Sequence, residues 1–110
     1  MFKGYGDGYV LVNAEKFERS VIVLPDRPVS QWGVSSIENL AQDDIAALAA
    51  LGVEILLLGT GKSQRFPDPR MLQPLRQARV GVEVMDSPAA CRTYNILLGE
   101  ERNVAAAIIV

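Results

Sequence analysis

The sequence predicts an α/β fold: a largely parallel sheet with helices on both faces, preceded by an N-terminal antiparallel β unit. Two observations carry this. From residue 34 onward, segments with helical spacing of apolar residues alternate with short apolar runs, the pattern of βα units. The run at residues 53–58, Val-Glu-Ile-Leu-Leu-Leu, is almost continuously apolar, as a strand covered on both faces is. The 110 residues fit one domain, and 49% apolar residues give it a core.

The first third reads as β. Tyr9-Val10-Leu11-Val12 predicts a short strand, Asn13-Ala14-Glu15-Lys16 a polar connection, and Ser20-Val21-Ile22-Val23-Leu24 a second strand stopped by Pro25-Asp26-Arg27-Pro28. A short third strand fits residues 29–32. Gly4, Gly6 and Gly8 predict fraying over residues 1–8.

After Gly33 the period changes. Ile45, Leu48 and Ala49 stand at i, i+3 and i+4, behind Asp43 and Asp44 at the positive end of the helix dipole, and Gly52 is a natural left-handed stop. Past the run at 53–58, Asp68-Pro69 predicts a capped helix start, with Met71, Leu72, Leu75 and Ala78 as the apolar stripe. Pro74 predicts a kink or a late start, because its ring clashes with the carbonyl four residues back. Residues 80–85 predict a strand with Glu83 in its middle. Ser87-Pro88 repeats the cap-plus-proline start for a helix with Ala90, Cys91, Tyr94, Leu97 and Leu98 on one face, closing at Gly99. Residues 104–110 form the last strand.

Composition excludes several chemistries. The chain has no histidine, so Ser-His-Asp and Cys-His catalysis, histidine bases and most zinc or non-haem iron sites are ruled out. A single cysteine forms neither an internal disulfide nor a cysteine-rich metal site, and no metal or cofactor is predicted. Eleven basic and 13 acidic residues, without a Lys/Arg block, argue against a nucleic-acid partner. No apolar stretch approaches the roughly 20 residues of a bilayer span. The start lacks the apolar core of a signal peptide, and a cytoplasmic location is expected.

Two segments are candidates for binding. Gly59-Thr60-Gly61-Lys62-Ser63 follows the apolar strand, where open α/β sheets bind ligands. It resembles the tail of a P-loop, but the position of that motif's first glycine is Leu56, and Gln64-Arg65-Phe66-Pro67 separates it from the next helix. Either the Gly59 and Gly61 amides form an anion site with Lys62 or Arg65, or the loop is a strand exit that needs glycine. In the helix after Ser87, Arg92 and Asn95 share a face opposite the apolar stripe. Cys91 lies on the stripe, which suits a structural thiol, although the first turns of a helix also favour a thiolate. Glu83 is a possible buried acid, an ion-pair partner for Arg92 or Arg102, or the solvated side of a strand end.

Several runs occur in a fixed order: Leu58-Gly59-Thr60-Gly61, Val82-Glu83-Val84-Met85-Asp86-Ser87, Ala89-Ala90-Cys91-Arg92-Thr93-Tyr94-Asn95-Ile96-Leu97 and Glu101-Arg102-Asn103-Val104-Ala105-Ala106-Ala107. The chain thereby resembles, over residues 9–110, the domain-of-unknown-function family that includes a mitochondrial respiratory complex I assembly factor and adipogenesis-associated Mth-like proteins. The resemblance implies a single layered domain around a mixed sheet, so that a terminal strand runs antiparallel. It implies a bacterial-type member, for want of an Arg-rich presequence, and no established enzymatic activity. The expected function is a non-enzymatic binding or assembly protein with a protein partner, an accessory factor for a membrane or respiratory complex. The alternative is a small-molecule or anion-binding domain using Gly59, Thr60, Gly61, Lys62, Arg65, Arg92 and Asn95. An enzyme relying on Glu83, Cys91 or Lys62 ranks third.

Overall fold

A computed structural model describes residues 1–110. Its main sheet has five strands: β4 (Val21–Leu24), β5 (Arg27–Gln31), β6 (Ile55–Gly59), β7 (Gly81–Met85) and β8 (Val104–Ile108), in the order β5-β4-β8-β6-β7. β6 runs parallel to both β7 and β8, with Leu57 opposite Glu83 on one side and Ala106 on the other. The runs at 53–58 and 80–85, both expected as strands, therefore pair directly and in parallel. β4 runs antiparallel to β8 and to β5, which makes the sheet mixed. The last strand in sequence lies at the centre, between β4 and β6.

Alternation along the central strands divides the core. Leu56 and Leu58 of β6, with Ala105 and Ala107 of β8, face α1 (Gln42–Ala49) and α2 (Gln73–Gln77), where they meet Ile45, Leu48 and Leu75. Leu57, Val104, Ala106 and Ile108 face α3 (Ser87–Gly99), against Ala90, Cys91 and Tyr94. All five β8 residues are fully buried, which is why that run carries no polar side chain.

A second sheet, β1 (Phe2–Gly6), β2 (Tyr9–Val12) and β3 (Glu15–Phe17), packs beside α3. The N-terminal antiparallel unit is thus present but divided differently from expectation: β2 belongs to this small sheet, whereas β4 and β5 extend the main one. Residues 2–6, expected to fray, form a paired strand. Phe2 is buried and meets the Tyr94 ring edge-on at 5.3 Å. Asn95 holds both backbone groups of Phe2, donating to its carbonyl at 2.7 Å and accepting from its amide at 2.8 Å. Glycine serves close approach here, since a Cβ on Gly6 would come within 2.4 Å of the Tyr9 ring. The expected polar connection after β2 is a turn, with Asn13 at φ 54°, followed by β3.

The helix expected at Asp68 starts late. Asp68 accepts from the Arg70 amide and caps a 3-10 turn, Pro69–Leu72, and α2 begins only at Gln73. Pro74 thereby falls in the first turn of α2, where its missing N–H costs nothing. The cap of α3 is Asp86, whose carboxylate accepts from the Ala89 amide at 2.8 Å. Ser87 is the first helical residue and is free for another task.

Candidate functional site

β6 ends at Gly59, and the chain turns through Thr60 and Gly61 over the start of α3. A Cβ on Gly59 would lie 2.9 Å from Ser87 Oγ and 3.1 Å from Ser87 Cα, so only glycine lets strand and helix approach this closely. Thr60, also buried, donates its hydroxyl to the Ser63 carbonyl at 2.7 Å and accepts from the Arg65 amide at 3.1 Å, winding the loop around its side chain. Gly61 takes a left-handed φ of 99°, which directs its N–H to Ser87 Oγ at 2.9 Å. The Ser87 hydroxyl donates to the Ile109 carbonyl at 2.5 Å, and the Ser87 amide donates to Gly61 O at 2.8 Å. One buried serine thus ties together the loop after β6, the start of α3 and the end of β8.

Around this knot is a cleft of about 530 Å³ between the β1–β2 hairpin and the start of α3, lined by Tyr5, Tyr9, Lys62, Pro88 and Val110 among others. Lys62 reaches across to Asp7 at 2.6 Å. Arg92 extends from α3 to the Tyr5 hydroxyl at 2.6 Å, with its guanidinium 5.9 Å from the Tyr5 ring centroid. The Gly59 loop and the Arg92 helix thus meet the same hairpin, Lys62 at Asp7 and Arg92 at Tyr5, and the cleft has one rim. Gly61 and Lys62 line it, Gly59 and Thr60 support it from below, and Arg92 braces it through Tyr5.

The polar groups expected to hold an anion have partners within the protein. The Gly61 N–H is taken by Ser87, Lys62 is paired with Asp7, and Arg65 is paired with Glu38 on the far side of the loop. Asn95 faces Phe2 rather than the cleft, because both ends of its amide complete the outer edge of β1. Glu83, entertained as a buried acid, is exposed: β7 is an edge strand, and α3 covers β6 and β8 instead. Glu83 pairs with neither candidate arginine, since Arg102 holds Glu54 at 2.6 Å and Arg92 holds Tyr5. The roles of Ser87, Tyr5 and Asp7 were missed. Ser87 resembled a cap in sequence, and no local signal announces a contact between Asp7 and Lys62.

Cys91 lies in the core-facing stripe, and burial pushes its thiol up to about 12 against the opposing pull of Arg92. A thiol raised in the folded state keeps the fold's preference for its neutral form at neutral pH and loses it as pH climbs toward that value. Native protein should therefore react with a thiol reagent at neutral pH only as fast as it opens, and stoichiometric labelling should follow on adding denaturant. Labelling within seconds in native buffer would contradict the buried thiol.

Comparison with known proteins agrees with the fold. The family described as protein of unknown function (DUF498/DUF598) matches residues 2–109. The chain belongs to this family. It is 35% identical over 107 residues to NADH dehydrogenase [ubiquinone] 1 alpha subcomplex assembly factor 3 of Xenopus tropicalis, covering 96% of the chain but 58% of that protein. It is 30% identical over 109 residues to the 13 kDa major membrane protein of Francisella tularensis, covering 98% of the chain and 89% of that protein. A crystal structure from Bordetella parapertussis superposes with a TM-score of 0.92 at 40% identity, over 97% of this chain and 92% of that one. The chain spans little more than half the length of its animal relatives, so their similarity concerns this α/β part. No helix here is long and apolar enough to cross a membrane.

Proposed function

We propose that this family member is a non-enzymatic binding protein that assists assembly of a membrane complex, a respiratory complex first among them, from the cytoplasmic side. The observation that carries it is the 35% identity, across 96% of the chain, to a protein named as an assembly factor for NADH dehydrogenase. The rim supplies the physical support. Its hydroxyl with the best claim to chemistry, on Ser87, is committed to the Ile109 carbonyl and the Gly61 amide. Its charged groups form exposed pairs rather than a converging set, and Tyr5 and Arg92 are of the types that dominate binding energy in protein interfaces. A protein subunit meeting Tyr5, Asp7, Lys62 and Arg92 is the fitting partner.

Deletion in the native host, followed by native electrophoresis of membranes and NADH oxidation assays, should show loss of an assembled complex that wild-type protein restores. The Tyr5→Ala/Arg92→Ala double variant should fold, since both side chains sit at the surface, and should fail to restore it. An unchanged membrane-complex profile on deletion would overturn the assembly role. Full rescue by the double variant would move the interface away from this rim.

A further inference from the structure

A second cavity, about 640 Å³ in volume, lies between the β2–β3 turn and the β4–β5 hairpin. It is separate from the rim: Tyr94, at its wall, is seven residues along α3 from Ser87, a rise of about 10 Å. The volume falls within the range of small-molecule sites. Nine of the 14 lining residues are hydrophobic, Val12, Phe17, Val23 and Leu98 included, and polar atoms share the wall with them.

Tyr94 gives the cavity a specific character. The residue is 1% exposed, and its ring is fixed edge-on against Phe2. Its hydroxyl has no partner in the protein, although every fully enclosed polar side-chain atom in the chain has one. The hydroxyl must therefore open onto the cavity that the residue lines. Because it reaches the cavity, the hydroxyl is free to donate to whatever occupies that space. Burial, with Asp26 nearby, pushes this hydroxyl up to about 12, so at neutral pH it offers a proton to an acceptor.

The charges at the mouth decide what kind of acceptor. Arg27 and Glu15 are the charged side chains of the lining, one of each sign, and Arg27 is engaged with Asp26 at 3.5 Å. The lining side chains therefore carry no net charge to attract an ion. We propose that this cavity binds a small, neutral, apolar molecule bearing a carbonyl oxygen, a ketone or an ester, with that oxygen accepting from the Tyr94 hydroxyl. The hydrocarbon part lies against Phe17, Val23 and Leu98, where its burial supplies most of the affinity. This site is independent of the assembly role, and each stands if the other fails.

Titration of isotope-labelled protein with 2-octanone, followed by amide chemical shifts, tests it. Saturable shifts are expected at Val12, Val23 and Leu98, with roughly five-fold weaker binding to Tyr94→Phe, the loss of one neutral hydrogen bond. Tyr94→Phe should keep the thermal midpoint of the wild type, because the hydroxyl it removes has no protein partner. A second variant, Leu98→Trp, fills the cavity and should abolish the shifts. Octanoate, the same chain with a charge, should bind at least ten-fold more weakly than the ketone, in keeping with the cost of burying a charge. Absence of saturable shifts, equal binding by Tyr94→Phe, unchanged binding by Leu98→Trp or equal binding of octanoate would each overturn the proposal.

Discussion

Gly59→Val should destabilise the fold by about 3 kcal/mol, the upper part of the usual range for overpacking, and lower the thermal midpoint on the order of 15 °C. The cause is contact, not backbone freedom. A Cβ there would sit 2.9 Å from Ser87 Oγ, 3.0 Å from Ile108 Cδ1 and 3.1 Å from Ser87 Cα. The first two belong to side chains with little room, because Ser87 is hydrogen-bonded on both sides and Ile108 is fully buried. The third is backbone at the start of α3. Valine must therefore push the helix off the sheet or bend the end of β6. Gly61→Ala isolates the other role of glycine: nothing lies within 4 Å of its added Cβ, but its φ is 99°. That variant should cost only about 1–2 kcal/mol, as strain alone. Calorimetry on both variants checks the ranking, and a Gly59→Val midpoint within a few degrees of wild type would refute the close packing.

Which parts of this architecture the chain announces locally follows from where each element sits. β6 and β8 lie in the middle of the sheet with both faces covered, so their runs are nearly free of polar residues and stand out. α3 has one face on the sheet, and Ala90, Cys91 and Tyr94 record it. β1 and β3 left no such trace. β3 is three residues long, Glu-Lys-Phe, at the margin of the small sheet, and no alternation develops over that length. β1 carries two glycines because Leu11 and Tyr9 of its neighbour lie across them, and glycine seen alone suggests mobility. The division of the N-terminal strands between two sheets was equally hidden. Val21, Ile22 and Val23 would suit either sheet, and only their partners, residues 106–108 at the other end of the chain, decide it.

The rim shows the same limit. The position of the Gly59 loop at the carboxyl end of a parallel strand followed from pattern, and so did the start of the next helix nearby. The destination of each charge did not. Lys62, Arg65 and Arg92 looked like a converging positive set, yet their partners, Asp7, Glu38 and Tyr5, lie 27 to 87 residues away and are brought in by the hairpin and by the segment before α1. Asn95 sits on the expected face of α3, but that face meets the edge of β1, a strand that local pattern does not reveal.

Ser87→Ala should cost about 2–3 kcal/mol, more than a typical exposed helix start, because its hydroxyl is shared between two other segments. The substitution removes the donor to the Ile109 carbonyl and the acceptor for the Gly61 amide at once. Alanine fills neither role. A carbonyl in the buried knot and an amide in the loop then lack partners, each worth roughly 1 kcal/mol or more where water does not reach. Local opening should accompany the loss. Amide exchange should accelerate at Gly61 and Arg65 before it does in β8, whose ladder bonds to β6 and β4 persist. The close approach at Gly59 predicts a further, opposite effect. Removing Ser87 Oγ clears the nearest atom from a Cβ at position 59, leaving Ile108 Cδ1 and Ser87 Cα at 3.0 and 3.1 Å. Gly59→Ala should therefore be less harmful in the Ser87→Ala background than in wild type, with a coupling on the order of 1 kcal/mol in a double-mutant cycle. Additive losses would mean that the serine hydroxyl and the glycine act separately, and that the three segments are not joined through this one side chain.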